Sequence, residues 1–203
     1  MSRLINILLS FCLVCASHAI AMNDGSHLQP HNLFPKVKFE TDAGNIVVEL
    51  DRRRAPLTVN NFLRYVEKGS YNDTLFHRIV PGFAVQGGGY DIDFRELPSF
   101  GKIFNESGNG LKNDMYTIAM ARQDAPHSAQ RQFFFNVVDN DYLNPGRNWG
   151  YAVFGLIVEG AEVVDALAEV ETGYNIELGW KNVPVEPVML KKVTLLPEPV
   201  LTQ

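Results

Sequence analysis

The sequence has 203 residues, of which 46% are hydrophobic and 20% are charged, and this composition excludes a disordered chain. Its net charge is −5, which argues against a nucleic-acid partner because phosphate binding needs clustered cations on the surface. A chain of this length supports one domain with a single hydrophobic core, or at most two very small domains.

Residues 1–21 are predicted to be a cleavable signal peptide. A positive charge near the start is followed by an apolar stretch from Leu4 to Ala16, and the segment ends in Ala19-Ile20-Ala21, a pattern that signal peptidases cleave. The apolar stretch is too short to serve as a membrane anchor. Both cysteines, Cys12 and Cys15, lie in this leader. The mature protein is therefore expected to be exported, to contain no disulfide and to have no membrane segment.

The rest of the chain divides into a linker, one domain and a short tail. Residues 22–35 contain two prolines and show no hydrophobic period, so they are predicted to form a linker. The folded domain is predicted to cover residues 36–196, and residues 197–203 a flexible tail.

The first elements of the domain have clear patterns. Two runs of alternating residues, Lys36–Thr41 and Asn45–Leu50, predict a β-hairpin. A helix is predicted over Pro56–Lys68 because apolar residues recur at helical spacing, and Gly69 suits its C-terminal cap. A second helical pattern covers Glu162–Val170.

Most of the remaining domain consists of short apolar runs separated by Gly, Pro, Asn and Asp, which is typical of strands. Two helices among about eight strands predict a mainly β fold, a closed eight-stranded antiparallel β-barrel capped by two α-helices. Arg52-Arg53-Arg54 precedes the first helix and opposes its dipole, so these three cations are predicted to face solvent.

The segment Tyr71–Gly89, YNDTLFHRIVPGFAVQGGG, carries the most information about function. It predicts a strand over Leu75–Val80, a Pro-Gly turn and a second strand over Phe83–Gln86. Regular alternation would put Arg78 on the same face as Phe76. An arginine in an apolar strand is costly unless its guanidinium has partners. Two interpretations stay open at this point: a structural ion pair, or a fork of hydrogen-bond donors held over an apolar pocket.

Three neighbouring features favour structural roles over catalytic ones. Gly87-Gly88-Gly89 lacks the Lys-Ser/Thr of a phosphate loop, so it indicates close backbone approach or a bulge. His77 is predicted to be a hydrogen-bonded core histidine. His127-Ser128 lacks the flanking glycines of a nucleophile elbow, and a hydrolase triad is therefore unsupported.

The motif FHRIVPGFAVQGG resembles the active-site signature of the cyclophilins, which are peptidyl-prolyl cis-trans isomerases. Shorter matches follow in order, and Ile103-Phe104-Asn105-Glu106 with Asn109-Gly110-Leu111 is similar to the bacterial, periplasmic branch. The resemblance covers about residues 36–196. It implies the same barrel fold, isomerase activity with no cofactor and no metal, and a periplasmic location, with secretion as the alternative.

Carried over residue by residue, the resemblance implies that Arg78 is the catalytic residue. Phe83, Phe134 and Leu143 would line a pocket for the proline ring. Gln86, Gln132 and the main chain at Arg122 would hydrogen-bond the substrate backbone. The implied substrate-binding set is Phe83, Gln86, Ala121, Arg122, Gln132, Phe134, Tyr142, Leu143 and Tyr151.

The implied partners are proline-containing unfolded or flexible polypeptides, and the protein is expected to be a monomer. Cyclosporin is expected to bind weakly, because Tyr142 stands where sensitive members of the family carry tryptophan. Ala84 and Arg131 also depart from the usual residues, methionine and a small residue. A binding module that holds proline segments without turnover is the competing interpretation. Arg78 together with Gln86 favours the enzyme, since binding of proline alone needs only the pocket.

Overall fold

The computed structural model describes residues 24–146 and 148–198. The predicted signal peptide and most of the predicted tail lie outside these residues. The strands are β1 (Lys36–Thr41), β2 (Asn45–Leu50), β3 (Thr74–Leu75), β4 (Arg78–Val80), β5 (Ala84–Gly87), β6 (Thr117–Met120), β7 (Phe133–Asn136), β8 (Val153–Glu159), β9 (Thr172–Asn175), β10 (Trp180–Pro184) and β11 (Met189–Leu195). The helices are α1 (Pro56–Glu67), α2 (Ala161–Ala168) and a 3-10 helix (Asp141–Leu143).

The predicted hairpin and both predicted helices are confirmed. β1 and β2 pair antiparallel around Gly44. α1 begins at Pro56, as predicted, and ends one residue earlier than predicted. Gly69 follows it with φ +62°, a left-handed conformation that favours glycine at this position. Within residues 24–146 and 148–198, neither helix has the length and hydropathy needed to cross a membrane.

The main sheet differs in detail from the predicted barrel. Nine antiparallel strands in the order β3-β11-β1-β2-β8-β6-β7-β5-β4 curl strongly, and β9 and β10 form a separate two-stranded sheet. The two edge strands, β3 and β4, are only two residues apart in the chain. The mainly β fold with two α-helices is thus confirmed, whereas the closed eight-stranded barrel is corrected to a strongly curled nine-stranded sheet.

The extra strand arises because the predicted strand Leu75–Val80 is interrupted at Phe76 and His77. Phe76 and Ile79 are both fully buried in the main core, whereas Arg78 is only partly buried. Regular alternation across the segment is therefore wrong, and Arg78 does not share a face with Phe76. Because Phe76 and His77 lie outside the strands, the Phe76 ring can enter the core while the Arg78 guanidinium stays outside it. The free-energy cost of burying an unpaired charge is thereby avoided.

The core is dominated by aromatic rings. Phe39, Phe62 and Phe133 are fully buried, with ring centroids 5.4 to 5.9 Å apart. Each such side chain contributes roughly 1.5–3 kcal/mol through removal of its surface from water. Because side chains alternate along a strand, β7 sends Phe133 and Phe135 into this core and Phe134 to the opposite face. That opposite face carries a second, smaller apolar cluster.

Arg52 does not face solvent, although Arg53 and Arg54 do. Its side chain is 7% exposed, and its guanidinium donates hydrogen bonds to the backbone carbonyls of Leu28, Gln29 and Asn32. The prediction of a solvated face is therefore wrong at this residue. The segment over residues 24–35 has no helix or strand, so its carbonyls need other donors, and the buried guanidinium supplies them.

Candidate active site

The second apolar cluster opens into a cleft of about 440 Å³ between β4, β5, β7 and the 3-10 helix. The cleft brings together nearly all of the residues that the sequence predicts for the site. Its lining consists of Arg78, Phe83, Ala84, Gln86, Ala121, Arg122, Phe134, Tyr142, Leu143 and Tyr151. Gln132 does not line this cleft but contacts Gln86 from the adjoining side.

The floor of the cleft is apolar and firmly packed. Ala84, Phe134 and Leu143 are buried, and they pack with Ala119 and Val153. The latter two were not predicted, although Ala119 directly precedes one of the shorter runs that resemble the family, Met120-Ala121-Arg122, and Val153 lies within another, residues 151–155. Such a floor accepts a compact apolar ring, and a buried apolar area of about 100 Å² contributes roughly 2.5 kcal/mol.

Two aromatic contacts form the rim of the cleft. The ring of Tyr142 is stacked on the ring of Phe83, with centroids 5.8 Å apart and planes at 25°. Tyr142 is 72% exposed, so its ring covers the entrance and not the floor. On the other side, Tyr151 meets Phe134 edge to face at 5.7 Å. The rim therefore offers flat apolar surface to residues that flank a bound ring.

Arg78 lies at the edge of the apolar floor. Its Nη1 donates a hydrogen bond to Gln86 Oε1 at 3.3 Å, and its Cζ lies 5.6 Å from the centroid of the Phe83 ring. It makes no ion pair with any residue in the described ranges 24–146 and 148–198. The structural ion pair considered from the sequence therefore has no partner there, and the fork of donors over an apolar pocket matches the geometry.

Strand register holds Arg78 in place. Arg78 is directly opposite Gln86 in the β4–β5 ladder, and Gln86 is directly opposite Phe134 in the β5–β7 ladder. Residues directly opposite each other in antiparallel strands lie on the same face, so the three side chains converge on the cleft. Gln86 Nε2 in turn donates to Gln132 Oε1 at 3.0 Å. We call this series, Gln132 to Gln86 to Arg78, the glutamine relay.

Gly89 leaves room for the last member of the relay. A Cβ atom at Gly89 would lie 2.6 Å from Cδ of Gln132, which is closer than any real Cβ contact. The prediction that the glycine run allows close approach of the backbone agrees with this geometry. The particular neighbour, Gln132, could not be predicted, because it is distant in sequence.

Arg122 uses its side chain for local contacts. Its Nε donates to the carbonyl of Gly150 at 2.9 Å, and its Cζ lies 4.6 Å from the centroid of the Tyr151 ring. Its Nη1 donates to the carbonyl of Gln123 at 2.8 Å. The guanidinium is thus held against the rim. This placement leaves the main chain of Arg122, which the resemblance assigns to substrate binding, to serve that role.

Arg131, one of the departures from the family pattern, is buried and points into neighbouring loops. Its Nε donates to the carbonyl of Gly88 at 2.7 Å, its Nη1 to the carbonyl of Pro98 at 2.8 Å, and its Nη2 to the carbonyl of Ser70. Desolvation lowers the pKa of this guanidinium. The bonds to three loops give Arg131 a structural role beside a small pocket of about 110 Å³ that adjoins Gln86.

A buried network of three asparagines supports the walls of the cleft and was not predicted. Asn140 Nδ2 donates to Asn136 Oδ1 at 2.8 Å and to the carbonyl of Phe83 at 3.0 Å. Asn113 Nδ2 donates to the carbonyl of Leu143 at 3.2 Å, and Asn136 Nδ2 donates to Asn113 Oδ1 at 3.3 Å. The network therefore ties the backbones that carry Phe83 and Leu143. In the sequence these asparagines are indistinguishable from turn formers.

His77 is buried next to Arg78 but does not line the cleft. It is 5% exposed, and its Nδ1 has no hydrogen-bond partner among the described residues. Burial lowers the pKa of His77 to about 4, and the neighbouring Arg78 charge acts in the same direction. The imidazole is therefore neutral near pH 7. His77 is thus buried, as predicted, and hydrogen bonds with the Leu75 backbone and the Gln132 side chain raise its pKa, although less than burial lowers it.

Comparisons with known proteins agree with this geometry. A family model described as "Cyclophilin type peptidyl-prolyl cis-trans isomerase/CLD" matches residues 36–195. Peptidyl-prolyl cis-trans isomerase cyp18 of Streptomyces antibioticus is 48% identical over 164 residues, which cover 79% of this chain and 98% of that protein. Peptidyl-prolyl cis-trans isomerase B of Escherichia coli (strain K12) is 46% identical over 164 residues, which cover 78% and 98%.

The fold leads to the same group of proteins. The crystal structure of a cyclophilin type peptidyl-prolyl cis-trans isomerase from Cryptosporidium parvum matches with a TM-score of 0.67 at 25% sequence identity. The match covers 82% of this chain and 99% of that one. The chain therefore belongs to the cyclophilin-type peptidyl-prolyl cis-trans isomerases.

Proposed function

We propose that this isomerase accelerates rotation of Xaa-Pro bonds by donating a hydrogen bond from Arg78 to the proline nitrogen of the twisted bond. The proline ring rests on Phe83, Phe134 and Leu143 while the rest of the peptide turns. The observation that carries this proposal is an arginine with no ion-pair partner among residues 24–146 and 148–198, at the edge of an apolar cleft.

The physical basis is the electronic structure of the peptide bond. Its rotation barrier of about 18–20 kcal/mol exists because the nitrogen lone pair is delocalised into the carbonyl. In the twisted state that lone pair is localised and accepts a hydrogen bond. A donor aimed at it stabilises the transition state more than the ground state, which raises the rate. One preorganised donor of this kind contributes roughly 2.7–4 kcal/mol, or about a hundred- to thousandfold in rate.

The chemistry of arginine suits this task. The guanidinium is planar, always charged and has several donors in fixed directions. One of these, on Nη1, is used by Gln86, and this bond fixes the orientation of the fork. The other donors of Arg78 are available to a peptide. Since no covalent bond forms or breaks, the arginine needs no companion base or nucleophile.

Substrate binding is expected to be weak. The ring contributes roughly 2.5 kcal/mol by burial, and a few backbone hydrogen bonds from Gln86, Gln132 and the main chain at Arg122 add about 1 kcal/mol each. The sum is offset by the costs of association, so dissociation constants near millimolar or weaker follow. Weak binding allows rapid release of many different chains.

We further propose that the protein works after export, as a monomer in the periplasm, on proline-containing unfolded or flexible polypeptides. The support is the signal-peptide pattern in residues 1–21 and the confinement of both cysteines to that leader. A chain without thiols folds in an oxidising compartment without forming wrong disulfides. Secretion beyond the periplasm is the alternative.

A protease-coupled assay tests the proposed mechanism directly. A short peptide with uncharged residues around one Xaa-Pro bond is cleaved by the protease only in the trans form, so the isomerase accelerates the slow phase of cleavage. We expect the wild-type chain to shorten this phase, which lasts about 10–100 s without catalyst. A chain that binds the peptide but leaves the slow phase unchanged would be the binding module instead.

A further inference from the structure

A second groove lies on the other side of Arg78 from the proline cleft. Its volume is about 520 Å³, and it is formed where β10 lies against β4 and β5. It is lined by His77, Arg78, Gln86, Tyr90, Gln132, Gly179, Trp180, Lys181 and Asn182. Arg78 and Gln86 therefore belong to both the cleft and the groove. A peptide whose proline occupies the cleft can continue past Arg78 into this groove without leaving the surface.

The conformation of β10 places Lys181 at the groove. The pairing of β9 with β10 shifts register between Trp180 and Val183, so Lys181 and Asn182 lie outside the regular ladder. Asn182 has φ +61°, which is the left-handed conformation that asparagine tolerates. Irregularities of this kind redirect side chains from their regular alternation, and they recur beside binding sites.

The chemistry of the groove combines an aromatic wall with unpaired positive charge. The ring of Trp180 meets the ring of Tyr90 at 5.0 Å, and the ring of Tyr90 meets the imidazole of His77 at 4.6 Å. As far as the described part of the chain goes, the lining contains two cations, Arg78 and Lys181, and no carboxylate. Neither cation makes an ion pair with a residue that the structure describes. An anionic side chain would complement this surface.

Resting on the isomerase mechanism above, we propose that this groove binds an acidic residue of the client polypeptide. Lys181 provides the charge that selects aspartate or glutamate, and Trp180 covers the aliphatic part of the same side chain. Because the groove shares Arg78 and Gln86 with the proline cleft, the acidic residue lies close to the proline along the client chain. The groove is thus a specificity site for residues that flank the isomerised bond.

The global charge of the chain makes this inference easy to test. A net charge of −5 by itself favours basic peptides, so a preference for acidic ones must come from a local site. The experiment compares kcat/KM for matched peptides that share one Xaa-Pro core and carry Glu, Gln or Lys at one to three positions on either side. For the wild-type chain we expect Glu to exceed Lys by about two- to fivefold at one or more of these positions, and less at high salt.

Charge reversal at the groove provides the decisive comparison. Lys181→Glu should invert the ratio of Glu to Lys peptides, and Lys181→Gln should bring it near one. Lys192→Glu makes the same change of net charge on β11, which does not line the groove, and should keep the wild-type ratio. An unchanged ratio in Lys181→Glu, or an equal change in Lys192→Glu, would overturn the proposal. Loss of turnover for the wild type on the uncharged peptide would instead overturn the proposed mechanism.

Binding at the groove has its own optical signal. The chain has two tryptophans, Trp149 and Trp180, so Trp149→Phe leaves Trp180 as the only reporter. Titration of this variant with the Glu peptide should change the Trp180 emission, and the Lys peptide should do so only at severalfold higher concentration. Equal responses to the two peptides would contradict a site that selects acidic residues.

Discussion

At the scale of single residues, the site depends on a few side chains whose surroundings determine what they can do. Among residues 24–146 and 148–198, Gln86 alone accepts a hydrogen bond from Arg78, which leaves its other donors free, whereas Arg52 and Arg131 donate to backbone carbonyls. The three arginines cannot be told apart by residue type alone. They differ in their surroundings. Arg52 and Arg131 lie among backbone carbonyls that need hydrogen-bond donors, whereas Arg78 lies at the edge of an apolar cleft.

Replacement of Arg78 tests whether the fork of donors performs the reaction. We expect Arg78→Ala to lower kcat/KM by about a hundred- to thousandfold, because one preorganised donor is lost. Arg78→Lys should not restore activity, since lysine keeps the charge but not the planar fork. The protease-coupled assay measures both variants, and circular dichroism checks their folding. Arg53→Ala, an exposed arginine outside the cleft, is the matched control. Full activity in a folded Arg78→Ala protein would give Arg78 a structural role.

Tyr142 is the residue to change for a test of cyclosporin binding. The resemblance predicts weak inhibition, and the ring of Tyr142 lies exposed at the rim, stacked on Phe83. In Tyr142→Trp the larger flat surface and the indole N–H should strengthen inhibition by about fivefold, or ~1 kcal/mol. Inhibition constants measure the change. Leu57→Trp, which adds the same ring on α1, should leave inhibition unaltered. Tight binding by the wild type, or no gain in Tyr142→Trp, would show that Tyr142 does not limit inhibition.

At the scale of the secondary-structure elements, the features that depend on local sequence patterns could be predicted. The features that depend on contacts between distant segments could not. The β1–β2 hairpin and α1 follow from alternation, helical spacing and the Pro56 and Gly69 caps, all of which are local. The break at Phe76 and His77 could not be predicted, because it depends on which core each side chain enters. The cleft residues came from a motif, but their asparagine supports join segments that only the fold brings together.

Substitution of Gly89 tests whether the glutamine relay orients Arg78. Gly89→Ala should displace Gln132, whose side chain can rotate away, and thereby free Gln86 from its second partner. We expect kcat/KM to fall about ten- to hundredfold, as small misplacements in active sites do. The thermal midpoint should change little, because a flexible side chain gives way and the backbone does not.

Gly108→Ala is the matched control for this substitution. A Cβ at Gly108 has no atom within 4 Å, and the residue lies outside the cleft. Normal activity in Gly89→Ala would mean that the relay does not orient Arg78. An Arg78→Ala, Gly89→Ala double variant should show no lower kcat than Arg78→Ala alone if the relay orients the arginine, whereas a rise in KM would report the direct bonds of Gln132 to the substrate.

At the scale of the whole molecule, we propose that the predicted leader directs the protein to the compartment where it works. We expect the exported protein to begin at Met22, because Ala19-Ile20-Ala21 is the pattern that precedes cleavage. Intact-mass measurement of the protein isolated from its native compartment gives the answer. A species that keeps Met1 in that compartment would contradict cleavage. Ala21→Lys, which spoils the small-residue pattern, should leave the precursor uncut.

The stability of the whole domain should depend on pH through His77. Its pKa in the folded protein is about 4, below the value near 6.5 that it has in the unfolded chain. The unfolded chain therefore takes up the proton first. Stability from this residue is complete above about pH 6.5 and is lost as the pH falls from there to about 4. The expected loss in the free energy of unfolding is on the order of 3 kcal/mol.

Urea denaturation at a series of pH values measures this dependence and can assign it to one residue. For Asp42, desolvation raises the pKa, but the contacts with Lys191 and the Met189 backbone together outweigh it and lower the pKa, so this carboxyl contributes below its ordinary value of 3.8. The pKa of Glu40 is lowered, chiefly by its hydrogen bond with Lys38, from an ordinary value of 4.5, so Glu40 enters at the acid end of the window. His77→Phe should flatten the profile between pH 6.5 and 4, whatever its effect on stability at neutral pH. His31→Gln, an exposed histidine, should keep the wild-type slope. An equally steep decline in His77→Phe would mean that protonation of His77 does not limit stability, and that another buried group takes up the proton on unfolding.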